Sequence, residues 1–347
     1  MLAEPDSLSL GKVGQVFAVD SGGQIYLADQ SRDRVVVYSR DGDPVRTIGR
    51  HGRGPGELAS IGSPFLVDTL LAVFHSTLKL SVFDARSGRH LAEHVFGGYA
   101  SSLAAAHGRV WVGTFDRGSA RGVVPMLPRE LWTPVEGRPD IRLASAMPFP
   151  DVYGRYPGLD GANFLSVAAT RRGFAVGYGS GTDDIYLVDL ASAAVDTATV
   201  PIVARQGNTP AGLAMLKAGS RFSFAEQLAA TSILYGLFPM REGGLLVWFE
   251  DNAAELRGFN DLKNFTGRAY VAVLSPDHQS ACVDSEVPFP GSAWPRLAML
   301  GDTLYAIDQV VPDAGSGDPV TVVRRYAIDV ADCRWLPTNR PTATGPQ

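Results

Sequence analysis

The chain has few of the residues that would assign it to a specialised class. Cys282 and Cys333 are its two cysteines in 347 residues, so a fold built on a disulfide framework is excluded. The sequence contains no apolar run of the length that a membrane-spanning helix needs. Its 36 acidic residues outnumber 31 lysines and arginines, giving a net charge of −5. Nucleic-acid binding depends on concentrated positive charge, so we expect no nucleic-acid partner.

Motifs of the common catalytic classes are also absent from the sequence. It has no Gly-x-Ser-x-Gly nucleophile elbow. Its six histidines are dispersed without the spacing of metal ligands. The glycine-rich stretch Gly49–Glu57 is not followed by Lys-Ser/Thr, as a phosphate-binding loop would be. We therefore predict no cofactor, and the sequence leans towards a protein that is not an enzyme.

Short strands and tight turns are what the sequence has in abundance. It holds 38 glycines and 23 prolines alongside 45% hydrophobic residues. In residues 13–58, apolar runs at Ile25–Ala28, Val35–Tyr38 and Val45–Ile48 follow a first strand near Ala18. Four short strands joined by tight turns are typical of one propeller blade. Similar turn spacing recurs along the chain and predicts an all-β, six-bladed β-propeller of four-stranded antiparallel blades. Its loop and short-helix insertions are predicted to lie on one face.

The first predicted blade also resembles an NHL-type repeat. The residues that carry the resemblance are Gly23 to Asp29, Arg34-Val35, Tyr38, Asp41-Gly42, Ile48-Gly49 and Gly52 to Glu57. This resemblance implies a six-bladed propeller. It does not select a function, because NHL-like propellers include protein-binding and RNA-binding modules as well as lyases and lactonase relatives.

The predicted domain organisation is simple. Residues 13–337 are expected to form a single propeller, either as a monomer or as a subunit of a larger assembly. Residues 1–12 are an N-terminal segment that could add a ring-closing strand, and residues 338–347 are expected to be a disordered tail. Residues 1–12 lack the basic start and apolar core of a signal peptide. A cytoplasmic protein is therefore one reading. The resemblance favours the other, a periplasmic or extracellular protein whose leader is missing.

The two cysteines leave two alternatives open. Cys282 and Cys333 could form one disulfide or remain two thiols. Both fall near the predicted outer strands of blades five and six, and the outer strands of neighbouring blades diverge. Unpaired thiols are therefore the preferred prediction.

In a propeller, the loops between the second and third strands of each blade and the linkers between blades emerge on one face. The long connections of this chain belong to this class, at 116–122, 147–162, 204–231, 251–267 and 309–319. Long structured connections are commonly functional, which predicts a binding face formed by the later blades. A protein or peptide partner fits such a face, and a glycan is the alternative. The aromatic residues could equally pack the loops against one another. The candidate binding residues are Tyr153, Arg155, Tyr156, Phe222, Phe224, Phe259, Phe265, Asn163 and Arg296.

Oxygen-bearing side chains near strand ends suggest a second function. Convergent carboxylates and amides could bind calcium, and Glu57, Asp116, Glu250 and Asn252 are the candidate ligands. This arrangement would suit a metal-dependent hydrolase or lyase at the mouth of the propeller channel. The competing explanation is structural, because an aspartate at a strand end often caps the following turn. Asp29 with Arg34 in particular resembles a structural pair of the NHL repeat. A non-catalytic binding module remains the preferred reading.

Overall fold

A computed structural model gives the fold of the chain. Contacts divide the chain into two compact units. The first comprises residues 1–147 and 294–327, and the second comprises residues 148–293 and 328–347. The described residues are 10, 13–14, 17–76, 79–95, 99–106, 109–115, 121–126, 145–146, 165–179, 181–218, 226, 229–254, 265–288, 296–310 and 320–338.

Antiparallel sheets make up the first unit. Its described residues form four sheets in which each strand pairs with the next along the chain, as in a meander. The first three sheets are four-stranded and the last is three-stranded. The strands are β1 (Ala18–Val19), β2 (Ile25–Asp29), β3 (Arg34–Tyr38), β4 (Pro44–Ile48); β5 (Pro64–Val67), β6 (Leu70–His75), β7 (Lys79–Asp84), β8 (His90–Val95); β9 (Tyr99–Ala106), β10 (Arg109–Phe115), β11 (Arg121–Met126), β12 (Ser145–Ala146); and β21 (Arg296–Leu300), β22 (Thr303–Val310), β23 (Val320–Ala327).

The second unit has two sheets in its described part, and its described helical residues are Pro210–Ala218 together with Glu226 and Ala229. One sheet has four strands and the other has five, because a strand from the end of the chain joins it. The elements are β13 (Leu165–Ala169), β14 (Gly173–Tyr178), β15 (Asp184–Asp189), β16 (Val195–Thr199); α1 (Pro210–Ala218); and β17 (Ile233–Pro239), β18 (Leu245–Ala254), β19 (Phe265–Leu274), β20 (Ser280–Glu286), β24 (Trp335–Pro337).

The first sheet follows the sequence prediction closely. The turn from β1 to β2 ends at Gly23, whose φ of 83° suits glycine. At the end of β2, Asp29 is fully buried and its Oδ2 lies 3.2 Å from Nε of Arg34. The predicted structural pair is therefore confirmed. A buried carboxylate that is held by arginine fixes the β2–β3 turn.

Sheet faces in the first unit bury the apolar residues that their alternation predicts. Val35 and Ile48 of the first sheet pack with Leu71 and Phe83 of the second sheet, and Leu58 of the connection between them completes the cluster. These side chains are at most 1% exposed. Burial of this kind supplies most of the stabilisation of a layered β fold.

The C-terminal strand corrects two predictions. The sequence reading placed residues 333–336 in the sixth blade, but β24 pairs with β20 in the fifth sheet, with Cys282 opposite Trp335. Cys333 therefore lies beside Cys282. The two form a disulfide with their Cα atoms 5.6 Å apart, so the preference for unpaired thiols was wrong. The error came from assigning the strand to its sequence neighbours instead of to β20.

Buried His75 makes the stability of the first unit depend on pH. Its Nε2 lies 2.8 Å from the Ser81 hydroxyl, and burial is the main reason that its pKa lies below the ordinary 6.5. Glu93 and Asp33 oppose this shift, whereas Lys79 and His90 add to it. The folded state therefore takes up a proton less readily than the unfolded state does.

We predict that the free energy of unfolding falls as the pH is lowered below about 6.5 and through the depressed pKa of His75. His75→Gln, which keeps a polar contact for Ser81, should flatten this dependence. The measurement is urea denaturation at several values between about pH 7 and pH 5. Equal slopes for the wild type and His75→Gln would show that His75 does not cause the effect.

Candidate binding site

An arginine anchors the linker that follows β16. Arg205 follows five apolar residues, Val200 to Ala204, and is itself buried, with 3% of its surface exposed. Its guanidinium donates to the carbonyl oxygens of Pro201 at 2.9 Å and Val200 at 3.1 Å. A buried charge is tolerated when it is paired and hydrogen-bonded. These bonds fold the linker back around the side chain of its own arginine.

Asp284 of β20 holds the same linker from the other side. Its carboxylate accepts hydrogen bonds from the main-chain N–H groups of Val203 at 2.8 Å, Ala204 at 3.1 Å and Arg205 at 2.8 Å. It also lies 3.3 Å from the Arg205 guanidinium. The pairing of β19 with β20 shifts register next to this position, and β-bulges commonly redirect a side chain in this way. Three consecutive amides are thus fixed by one buried carboxylate.

Asp183 and Phe249 complete the surroundings of the guanidinium. Nη2 of Arg205 donates to Oδ1 of Asp183 at 2.9 Å, and neither side chain is more than 4% exposed. The guanidinium carbon lies 4.0 Å from the centroid of the Phe249 ring on β18, which is a cation–π contact. We name Arg205, Asp183, Asp284 and Phe249 the Arg205 anchor. It joins both sheets of the second unit to the linker between them.

Asp251 extends the anchor along β18. Its carboxylate accepts hydrogen bonds from the Gln206 main-chain N–H at 2.6 Å and from the Ser232 hydroxyl. Burial is the main cause that raises the pKa of Asp251 above its ordinary value, while these two hydrogen bonds oppose the rise. The carboxylate is therefore engaged in holding the linker.

The end of the linker leads into α1. Gly207 has a φ of 69°, and its main-chain N–H donates to the Ser232 hydroxyl at 2.6 Å. Thr209 caps the helix, because the Gly212 N–H donates to its hydroxyl at 3.1 Å. Pro210 occupies the first helical position, where proline is preferred. The sequence also predicts a short helix over residues 225–230, after Ser223. Glu226 and Ala229 of this segment are described and helical, whereas Ser223 lies outside the described residues.

The linker presents apolar side chains on this fixed backbone. Ile202 and Val203 are 42% and 52% exposed. A Cβ placed on Gly207 would collide with the Ile202 side chain, so the absence of a side chain at Gly207 leaves room for Ile202. None of the predicted binding residues lies in this linker. The sequence signal for this linker is Arg205 directly after an apolar run, because an arginine in an apolar segment is a candidate for a buried, paired charge.

Most of the predicted contact residues lie outside the part of the chain that the structure describes. Tyr153, Arg155, Tyr156, Asn163, Phe222, Phe224, Phe259 and the candidate ligand Asp116 lie outside the described residues. Phe265 begins β19, opposite Ala254, and Arg296 begins β21 of the first unit and is 9% exposed.

Glu57 is engaged within its own linker. Its carboxylate accepts from the Gly54 N–H at 2.8 Å and the Arg53 N–H at 3.0 Å, and it pairs with Arg50 at 2.9 Å. The hydrogen bond from Gly54 is the largest cause that lowers the pKa of Glu57. These contacts give Glu57 a role in the conformation of the connection between the first two sheets.

Glu250 and Asn252 are the two predicted ligands that lie close together. They are two residues apart on β18, so they share one face of the sheet, and they are 1% and 4% exposed. The side-chain Oδ1 and Nδ2 atoms of Asn252 both lack a hydrogen-bond partner among the described residues. Within the described ranges, no group of three or more histidine, cysteine or acidic residues is arranged to hold a metal ion. No described helix is long and apolar enough to cross a membrane.

Comparison with known families bears on the fold. Residues 1–112 of the 347 match the DUF5128 family, which is described as a 6-bladed beta-propeller. The fold class is a six-bladed β-propeller. The six described sheets and the predominance of antiparallel strands agree with this class. The NHL resemblance within it stays a prediction. No curated protein matches the chain.

Solved structures resemble the propeller over almost its whole length. A "Putative exported protein" from Bacteroides fragilis is 12% identical, with a TM-score of 0.55, and the match covers 94% of each chain. A member of the DUF4221 family from Bacteroides vulgatus is 11% identical, with a TM-score of 0.57, covering 91% of this chain and 93% of the other. At this identity the likeness concerns the fold alone.

The Arg205 anchor makes a clear prediction about stability. Arg205→Met keeps much of the side-chain length but leaves Asp183 and Asp284 buried without their cation. We expect the free energy of unfolding to fall by about 3–5 kcal/mol. Chemical denaturation followed by intrinsic fluorescence measures the change.

Arg172→Met is the matched control. Arg172 is 82% exposed and pairs with Asp189, so its removal should leave the denaturation midpoint close to that of the wild type. If both variants unfold at the wild-type midpoint, the buried arginine does not hold the linker in place.

Proposed function

We propose that this propeller is a non-catalytic binding module that docks a protein or peptide on the insertion-bearing part of its second unit. The observation that carries the proposal is the exposed pair Ile202 and Val203 on a backbone fixed by Asp284. Tyr153, Arg155 and Tyr156, with the phenylalanines of the later insertions, remain proposed contact residues of the module.

Fixed backbone favours binding because less conformational entropy is lost on association. The linker between β16 and α1 has its N–H groups at residues 203 to 207 bonded to side chains of the second unit. Burying exposed apolar side chains in an interface is favourable because it removes apolar surface from water. Ile202 and Val203 offer such side chains to an apolar segment of a partner.

The disulfide supports export to an oxidising compartment. Cys282 and Cys333 are paired, and disulfides persist mainly in periplasmic or extracellular proteins. A periplasmic or extracellular binding module is therefore the proposed setting. Its partner would be a protein or peptide that is present in the same compartment.

A screen against a random peptide display library and a glycan array tests the proposal. We expect enrichment of peptides with apolar residues. The enriched peptides are then titrated by fluorescence anisotropy. Ile202→Ser with Val203→Ser leaves the N–H groups of the linker in place and should weaken binding roughly tenfold or more.

Leu190→Ser is the matched control, because Leu190 is 39% exposed but lies at the β15–β16 turn. It should bind as the wild type does. Equal binding by the double serine variant, or saturable binding to glycans in place of peptides, would contradict the proposal.

Glu250 and Asn252 support a second candidate function, a calcium-dependent hydrolase or lyase. Their carboxylate and amide oxygens are ligands that calcium accepts. The unpartnered amide of buried Asn252 is the observation in favour. This candidate needs additional oxygen ligands beside Glu250 and Asn252.

Thermal unfolding tests the second candidate. If calcium binds the folded state, millimolar calcium should raise the Tm above that in EDTA by mass action. Asn252→Leu should abolish this shift, whereas Glu57→Gln should leave it unchanged. An identical Tm for the wild type in EDTA and in calcium would contradict the candidate.

A further inference from the structure

The last strand of the second unit is attached to β20 mainly by hydrogen bonds. β24 contributes three residues to the edge of the fifth sheet. Around it, the Val283 N–H donates to the Arg334 carbonyl at 3.2 Å, and the Thr338 N–H donates to the Gln279 carbonyl at 3.1 Å. Thr338 also accepts from the Thr199 N–H of β16 at 3.0 Å. The segment 328–338 therefore spans the outer strands of both sheets in this unit.

Apolar burial contributes little to this attachment. Trp335 is 39% exposed, Leu336 is half-buried and Pro337 is exposed. A short edge strand held mainly by its main-chain hydrogen bonds is only marginally stable by itself. The covalent link between Cys282 and Cys333 is therefore the strongest attachment of the segment to β20.

The position of the disulfide along the chain adds to this argument. Cys282 lies shortly before the chain leaves the second unit, and Cys333 lies shortly after it returns. The 51-residue separation contains all three strands of the last sheet of the first unit. Closing so long a loop is entropically unfavourable, and the disulfide supplies that closure in the unfolded as well as the folded chain.

We propose that the Cys282–Cys333 disulfide is a redox-controlled clasp whose reduction releases β24 from β20 while the rest of the second unit stays folded. The inference is independent of the proposed docking function. Release uncovers the N–H and C=O groups along the outer edge of β20, which are groups that another strand can pair with.

The reductant is a dithiol. Cys333 is partly exposed and Cys282 is 9% exposed, so Sγ of Cys333 is the more accessible target. A thiolate of the dithiol attacks this sulfur, the S–S bond breaks, and Cys282 leaves as a thiolate that takes up a proton. The second thiol of the reductant then displaces Cys333. Two protein thiols and one cyclic disulfide of the reductant result, so the two electrons come from the dithiol.

Amide hydrogen exchange before and after treatment with dithiothreitol tests the clasp, with a thiol titration to confirm that two cysteines are free. We expect exchange at Val283, Thr338 and Thr199 to accelerate roughly tenfold or more. Two other amides should keep their protection. They are the Val200 N–H, which donates to the Asp183 carbonyl oxygen, and the Leu234 N–H, which donates to the Gly179 carbonyl oxygen.

Cys282→Ser with Cys333→Ser is the second arm. This variant should exchange like the reduced protein and should not respond to dithiothreitol. Three results would overturn the proposal: two free thiols with unchanged protection of β24, loss of protection throughout the second unit, or a disulfide that millimolar dithiothreitol does not reduce in the folded protein. The reduction arm remains decisive if the double variant does not fold.

Discussion

A buried guanidinium that keeps its charge must be surrounded by acceptors, and this requirement organises the second unit. Arg205 meets it with the carboxylates of Asp183 and Asp284 and with carbonyl oxygens of its own linker. Asp183 directly precedes β15 of one sheet, and Asp284 lies on β20 of the next. The linker can therefore adopt a single path between the sheets, and Ile202 and Val203 are exposed because that path turns their arginine inward.

The link from this anchor to function is preorganisation. An exposed apolar pair on a mobile loop would lose conformational freedom on binding, whereas here three consecutive N–H groups are already bound by Asp284. The side chains of the Arg205 anchor hold the backbone of the linker. Partner recognition is therefore proposed for the exposed residues of that linker, Ile202 and Val203.

Local patterns predicted the first sheet closely and the long-range contacts poorly. The end of strand Ile25–Asp29 was predicted to within one residue. This accuracy is expected because alternation and turn residues are short-range signals. The pairing of β24 with β20 was not predicted, since strands with similar patterns can choose different partners. The disulfide was misjudged for the same reason. Thr209-Pro210 is a local signal for the start of α1, because threonine is a favourable N-cap and proline suits the first helical position.

The candidate site was harder to predict than the fold. Nothing local in the sequence connects Asp183 or Asp251 to Arg205. Asp284 follows its arginine by 79 positions, and its three amide contacts depend on how β20 is placed. Of the predicted ligands, the structure brings Glu250 and Asn252 onto one face of β18 because both lie on the same strand.

Hydrogen exchange at Val203, Ala204 and Arg205 in the free protein tests the central claim, that the linker is fixed before any partner binds. The bonds to Asp284 predict slow exchange at all three amides, although the side chains of Ile202 and Val203 are exposed. Exchange at the rate of an unstructured peptide would contradict the claim. It would show that the apolar pair is not held in place by the Arg205 anchor.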